Sequence, residues 1–301
     1  MDYLALGGLM LDDIVFPDGR TVMGAIGGSG AYAGFGMRLW SERVGVYGQV
    51  DASFDLALLD PLGLMADAVR VTERPTTRAW QLYEADGTRT QVWRVPNAVW
   101  QAQLAPRADA LPELRHLRGV HMAARGLAAE DEVVGRILDA GVVLGVEPVI
   151  YAETPPERRV RVLETARRAA VFSPGEAEAR LLFGDLHEDA LLDALRELGC
   201  PHVVLRRGAR GSVYAGVAAA NPIAIPPAPA DPVDLTGAGN AFCGGFLVGW
   251  LERQELRDAL AAGAVSAALT IERVGVPPID ATTIASAVER RRAYRDALAG
   301  I

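Results

Sequence analysis

The segment DLTGAGNAFCGG, running from Asp234 to Gly245, decides how the rest of this chain is read. Gly237, Ala238 and Gly239 are small, and a long apolar run begins at Ala241. A glycine loop that opens a helix aims its backbone N–H groups at one point. The helix dipole adds about half a positive charge there. Small residues let an anion come close to the backbone. The spacing fits an anion cradle, and it also fits an ordinary loop-to-helix turn. Asn240 follows the second glycine, where work on a bound phosphate would favour an acid.

Outward from this loop the chain alternates. YLALGG at the start and RVGVYGQV at 43–50 read as buried strands, with GGSGAYAGFGMRLW between them as a helix entered through glycines. GVHMA, VVLGV, AVFS and HVVLR read as further strands. The helices between them include EDEVVGRILDAG, which stops at Gly141, and PPERRVRVLETARRA, with proline near its start. Strand and helix in turn predict a mostly parallel central sheet with helices on both faces. The proline-rich NPIAIPPAPADP at 221–232 leads into two apolar helices, 238–251 and 257–272. Gly245 and Gly249 form a GxxxG in the first, read as close packing of a buried helix.

The stretch 68–95 differs. Two β-prone runs flank Asp86-Gly87, a dipeptide suited to the positive φ of a hairpin turn. Trp80 and Leu82 share one face, and Trp93 and Trp100 follow. The expectation is a β lid with an aromatic inner face, against the plainer alternative of a sheet edge.

Bulk properties exclude several classes. The 301 residues are half hydrophobic and 23% charged, which is enough for one large α/β domain spanning 1–301. A formal charge of −8 argues against a nucleic-acid partner, since phosphate neutralisation needs clustered Lys and Arg. The longest apolar run, 241–251, is short of the roughly 20 residues that span a bilayer, so no membrane partner is expected. No basic segment followed by an apolar core opens the chain, so no signal peptide is expected. Cys200 and Cys243 make no CxxC, which fits a reducing cytoplasm. His116, His121, His187 and His202 have no ligand spacing, so no zinc site is expected. Cys243 reads as packing. Arg206 and Arg207 precede a glycine turn, placed either to reach phosphate oxygens or to lie solvated at the surface.

PVDLTGAGNAFCGGF resembles the C-terminal signature of the ribokinase-like (phosphofructokinase-B) family of sugar and nucleoside kinases, through Asp234, Thr236, Gly237, Ala238, Gly239, Phe242, Gly245 and Phe246. Other segments match in order. GGLMLDD carries Asp12 at the place of the sugar-binding acid, and GGSGAYAGFGMRL carries Gly27, Gly28 and Gly30. VGVYGQVD and the lid-like TTRAWQLYEADGTRT follow. SPGEAEARLLFG has Glu178 at the acid of the N-x-x-E motif, and VVLRRGARGSVYA carries Gly208 and Gly211.

The resemblance implies a three-layer α/β fold with a β lid near 68–95, to which a short piece near 14–24 would contribute. It implies transfer of the ATP γ-phosphate to a hydroxyl of a small sugar, polyol or nucleoside, with Mg²⁺ and a monovalent cation as ions. The anion hole would be Gly237, Ala238 and Gly239. The acceptor would lie among Asp12, Gly27, Gly28 and Tyr32. The nucleotide would run along Arg207, Gly208 and Gly211 to Thr236 and Gly239, with Val265 helping to wall the adenine. Glu178, through water, and Asp234 would serve the metal. Family lids pair between subunits, so a homodimer through the lid is expected.

Three departures qualify this. Asn240 stands at the base position, and an amide has no usable proton affinity near neutral pH. Gly175 replaces the asparagine of N-x-x-E, and Tyr32 replaces an asparagine that contacts sugar in many members. Two functions stay open: a slow kinase in which Asn240 orients the acceptor, and a nucleotide- or metabolite-binding regulatory protein without turnover.

Overall fold

A computed structural model describes residues 1–85 and 89–298, so the Asp86-Gly87 turn lies outside the described residues. The first half holds β1 (Tyr3–Leu6), β2 (Met10–Val15), β3 (Thr21–Gly27), α1 (Ser29–Arg38), β4 (Val44–Val50), β5 (Val69–Val71), β6 (Arg78–Tyr83), β7 (Arg89–Trp93) and α2 (Asn97–Leu104). Next come β8 (Gly119–Ala124), α3 (Ala128–Asp139), β9 (Val143–Pro148), α4 (Pro156–Arg168), β10 (Val171–Phe172), α5 (Glu176–Phe183) and α6 (Glu188–Glu197). The chain continues through β11 (His202–Arg206), β12 (Ser212–Tyr214), β13 (Ile223–Ile225), α7 (Ala238–Arg253), α8 (Leu256–Ile271) and α9 (Ala281–Ala297).

Nine strands form the main sheet in the order β13-β12-β11-β10-β9-β8-β1-β4-β5. It is parallel from β11 to β5, while β12 and β13 run antiparallel. Alternation along each strand sends side chains to two cores. Tyr3 and Ala5 of β1 face the layer of α1, α7, α8 and α9; Leu4 and Leu6 face α3, α4, α5 and α6. Helices therefore cover both faces, as the alternating sequence implied. None of the helices of the described residues is long and apolar enough to cross a membrane.

Order reverses at β1, which has β4 on one side and β8 on the other. Ligands of open α/β sheets settle beyond the carboxyl ends of strands at such a point. Helices α1, α7 and α8 meet closely there because Gly36, Gly244, Gly245 and Gly249 leave room for neighbouring backbone and side chains. The GxxxG is thus a packing device.

The lid is a four-stranded sheet, β3-β2-β6-β7. It differs from the expected 68–95 segment in that β5 belongs to the main sheet beside β4. The N-terminal piece expected near 14–24 is longer than that: β2 and β3 supply half the lid. Parallel pairing places Asp12 beside Ala79 and Asp13 beside Trp80. Trp80 and Leu82 therefore share the face of Asp13, opposite Asp12 and Gln81. The aromatic face looks outward, where Trp80 carries the Arg94 guanidinium at 4.8 Å and Val92 is exposed. Trp93 stacks on Trp100 at 4.4 Å.

Candidate active site

The loop before α7 is held by one carboxylate. Asp234, 1% exposed, accepts the Thr236 N–H at 2.8 Å and the Tyr83 hydroxyl on Oδ1, and the Gly275 N–H at 3.1 Å on Oδ2. Tyr83 ends β6 and also lies 2.6 Å from Thr236 Oγ1, which Arg89 Nη1 reaches at 3.2 Å. The lid is thereby latched to the loop. Gly237 takes φ 76°, a left-handed turn that suits glycine, and no side chain caps α7. The first N–H groups of this 16-residue helix are left to a ligand or to water.

Two side chains cover the small residues of the loop. A Cβ at Gly237 would overlap the Tyr32 ring, and one at Gly239 would overlap Arg206 Nη1. The space left by Gly239 thus belongs first to a guanidinium. Tyr32 is 2% exposed, and its hydroxyl has no hydrogen-bond partner among the described residues. Burial raises its pKa, and so do the nearby carboxylates of Asp234 and Asp12.

Beneath the loop lies an ion-pair network. Asn240 Nδ2 donates to Glu147 Oε2 at 2.7 Å. Arg206 Nη2 pairs with Glu147 Oε1 at 2.9 Å and Glu178 Oε2 at 3.4 Å, and donates to the Ser173 carbonyl at 3.0 Å. Burial alone would raise Glu147; the Arg206 charge, His121 and the Asn240 hydrogen bond outweigh it and hold the carboxyl below its usual range. Burial likewise pulls Arg206 down, and its anionic neighbours reverse this and keep it cationic. His121 Nε2 sits 3.4 Å from Glu147 Oε2, and Cys243 completes a trio whose ligand atoms lie within 4.8 Å. A guanidinium already neutralises Glu147 there, so the trio is part of the ion-pair network. Sequence reading passed over Glu147 and took His121 only as a histidine without ligand spacing. The available signal was polarity inside strands buried on both faces, which normally read as continuous apolar runs.

Asp12 is 2% exposed and accepts from Gln81 Nε2 at 2.7 Å, and its Oδ2 fills the space a side chain at Gly27 would need. Burial pushes its pKa up to about 6. Gly28 takes φ 94° and begins α1. Asp12, Gly27, Gly28 and Tyr32 are therefore neighbours, as expected. Asp13 faces the other way. Burial would raise its pKa, but hydrogen bonds from Arg78, the Gly24 N–H and Arg94 bring it to about 2.

Other expected residues sit elsewhere or are already engaged. Arg207 pairs with Glu188 at 2.8 Å, so Arg206 is the arginine that reaches the loop. Gly208 and Gly211 bound the short turn between β11 and β12, both with positive φ. Val265 is fully buried and presents no surface to an adenine. Asp234, expected to serve the metal, has both oxygens hydrogen-bonded to Tyr83, Thr236 and Gly275, so it holds the loop and the lid. Glu178 gives one oxygen to the Gly175 N–H, at 2.6 Å, and to Arg206, and Gly175 has no side chain to stand beside it. A divalent ion there would share its carboxylate with a guanidinium. The residues present do not fit direct ligation of Mg²⁺ by the protein.

A three-layer α/β core, a β lid and a glycine loop at the switch point together define the fold class of small-molecule kinases. Residues 22–282 match the pfkB family carbohydrate kinases, and the chain belongs to that family. It is 27% identical over 281 residues to a cytidine kinase of Thermococcus kodakarensis, an alignment covering 91% of this chain and 98% of that protein. Among solved structures it is similar to a Vibrio cholerae fructokinase with fructose, ADP and calcium bound. There the TM-score is 0.78 at 21% identity, with 95% and 98% of the two chains covered. An Escherichia coli protein assigned as a ribokinase II and solved with ATP and Mg²⁺ gives a TM-score of 0.80 at 19% identity, covering 96% and 99%. At such identities the structures share the fold.

Proposed function

We propose that this protein transfers the γ-phosphate of ATP to a hydroxyl of a sugar or nucleoside, with Asn240 orienting the acceptor. The Asn240–Glu147 hydrogen bond carries this reading. Glu147 is held as a carboxylate, so it takes the amide's N–H end and leaves the carbonyl end to accept from a hydroxyl. Phosphoryl transfer through a loose transition state relies mainly on positioning and charge stabilisation, so an orienting amide supports a slow reaction. The uncapped turn of α7 and Arg206 would receive the developing charge. The test is ADP release over a panel of sugars, polyols and nucleosides, with ATP binding followed by calorimetry. Binding without ADP release from any acceptor supports the second reading, a nucleotide-binding protein without turnover, which Asn240 itself favours. No binding at millimolar ATP removes both.

Asp12 would hold the acceptor. Its raised pKa gives a signed expectation. An acid whose folded pKa lies above its unfolded value loses stability as pH rises through the folded value. From about 3.9 unfolded to about 6 folded, the loss is about 3 kcal/mol. D12N escapes that loss. It should melt higher than wild type at pH 8, match it near pH 4, and lose acceptor binding. A D12N melting point below wild type at pH 8 contradicts this.

The outward lid face, with Trp80, Leu82 and Val92, supports the inference that two copies pair through their lids in the cytoplasm. Light scattering at micromolar concentration should give a dimer, reduced to monomer by W80E. A monomeric wild type removes the inference.

A further inference from the structure

In the reading above, the phosphates of ATP lie against Gly237–Gly239, and the further inference rests on that reading. We propose that Arg206, through the Nη1 that lies over Gly239, makes the direct contact to nucleotide phosphate that a protein-held divalent cation would make, so that this site binds nucleotide phosphate without a metal of its own. Three observations converge on the guanidinium. Its Nη2 end is anchored, to the Ser173 carbonyl at 3.0 Å, Glu147 at 2.9 Å and Glu178 at 3.4 Å. Its Nη1 end lies over Gly239, at the open first turn of α7, where only a residue without a side chain leaves room. The acids that would hold a metal are committed elsewhere: both oxygens of Asp234 to Tyr83, Thr236 and Gly275, and one oxygen of Glu178 to Gly175 and Arg206.

A guanidinium suits this task. It stays charged, and Nη1, the end not held by the anchors, can donate a charge-assisted hydrogen bond to a phosphate oxygen. The anchors fix the guanidinium before the nucleotide arrives, so little side-chain entropy is lost on binding. An arginine supplied within the same chain is an established way to stabilise charge on a transferring phosphoryl group. Gly239 is then needed for two reasons, the bare N–H groups and the arginine above them.

Calorimetry with ATP decides the matter, in excess EDTA and in excess MgCl₂. Wild-type affinities should agree within about threefold between the two conditions. R206M should bind at least about tenfold more weakly than wild type in EDTA, which is about 1.4 kcal/mol. R206M leaves buried carboxylates without their partner, so R206M/E147Q serves as the variant if R206M fails to fold, with the same loss expected against E147Q alone. Wild-type binding seen only with MgCl₂ overturns the proposal and leaves the nucleotide site standing. Unchanged affinity of R206M in EDTA, or of R206M/E147Q against E147Q, also overturns it. No ATP binding in either condition overturns the nucleotide site and this proposal together.

Discussion

Exchanging the acid and the amide beneath the glycine loop, in N240D/E147Q, is expected to raise the rate of phosphate transfer about 10²-fold or more over wild type. A positioned general base contributes about 10²–10⁴-fold. The exchange conserves charge, so Arg206 keeps two carboxylates nearby. The amide at 147 can still donate across the 2.7 Å that separates the two side chains. N240D alone should gain far less. It sets two carboxylates at hydrogen-bond distance, and like charges so close force one to keep its proton. The paired acid's folded pKa rises above its unfolded value, so the stability deficit of N240D should be small near pH 4 and grow as pH rises. Melting curves at pH 5 and pH 8 read this, and ADP release with the acceptor found in the screen reads the rate. A double variant no faster than wild type means that the missing base does not limit the reaction.

Removing Glu147 should be the most destabilising single truncation in the site. E147A takes the 2.9 Å partner from Arg206 and leaves the Asn240 amide and His121 facing a void. Breaking a buried ion pair by deleting one member costs about 3–5 kcal/mol. For a chain of this size that corresponds to a fall in melting temperature of roughly 5–8 °C. The sign with pH is fixed by the depressed pKa of Glu147. Its contribution is complete above the ordinary carboxylate range and is lost as pH falls through the folded value. The gap between wild type and E147A should therefore be widest near neutral pH and narrow below about pH 4. A gap that ignores pH would mean that the cost is a packing cavity and not the charge.

Glu147 also shows what made parts of the site hard to read in advance. It stands two residues after Gly145 in an otherwise apolar strand, and nothing local says what it faces. Its partners come from β8, β11 and α7, which only the sheet order brings together. The two arginines before Gly208 are adjacent in sequence, yet alternation sends one to the loop and the other to Glu188. The lid's outer and inner faces were likewise set by the register of β2 against β6, a pairing with no signal in either strand alone. The hairpin run and its tryptophans were recognisable; the direction they point was not.

By itself the amino-acid order determined the alternating α/β layers, the glycine loop at the mouth of a buried helix, and the loss of an acid at position 240. These are local matters of period, turn chemistry and composition, and local forces act on neighbours in the chain. Tertiary structure decided that Tyr83 latches the lid through Asp234, that Tyr32 and Arg206 cover the two glycines, and that Asn240 hangs from Glu147. Each of those is an encounter between side chains far apart in sequence. Their distances depend on strand order and register, which the whole sheet settles together.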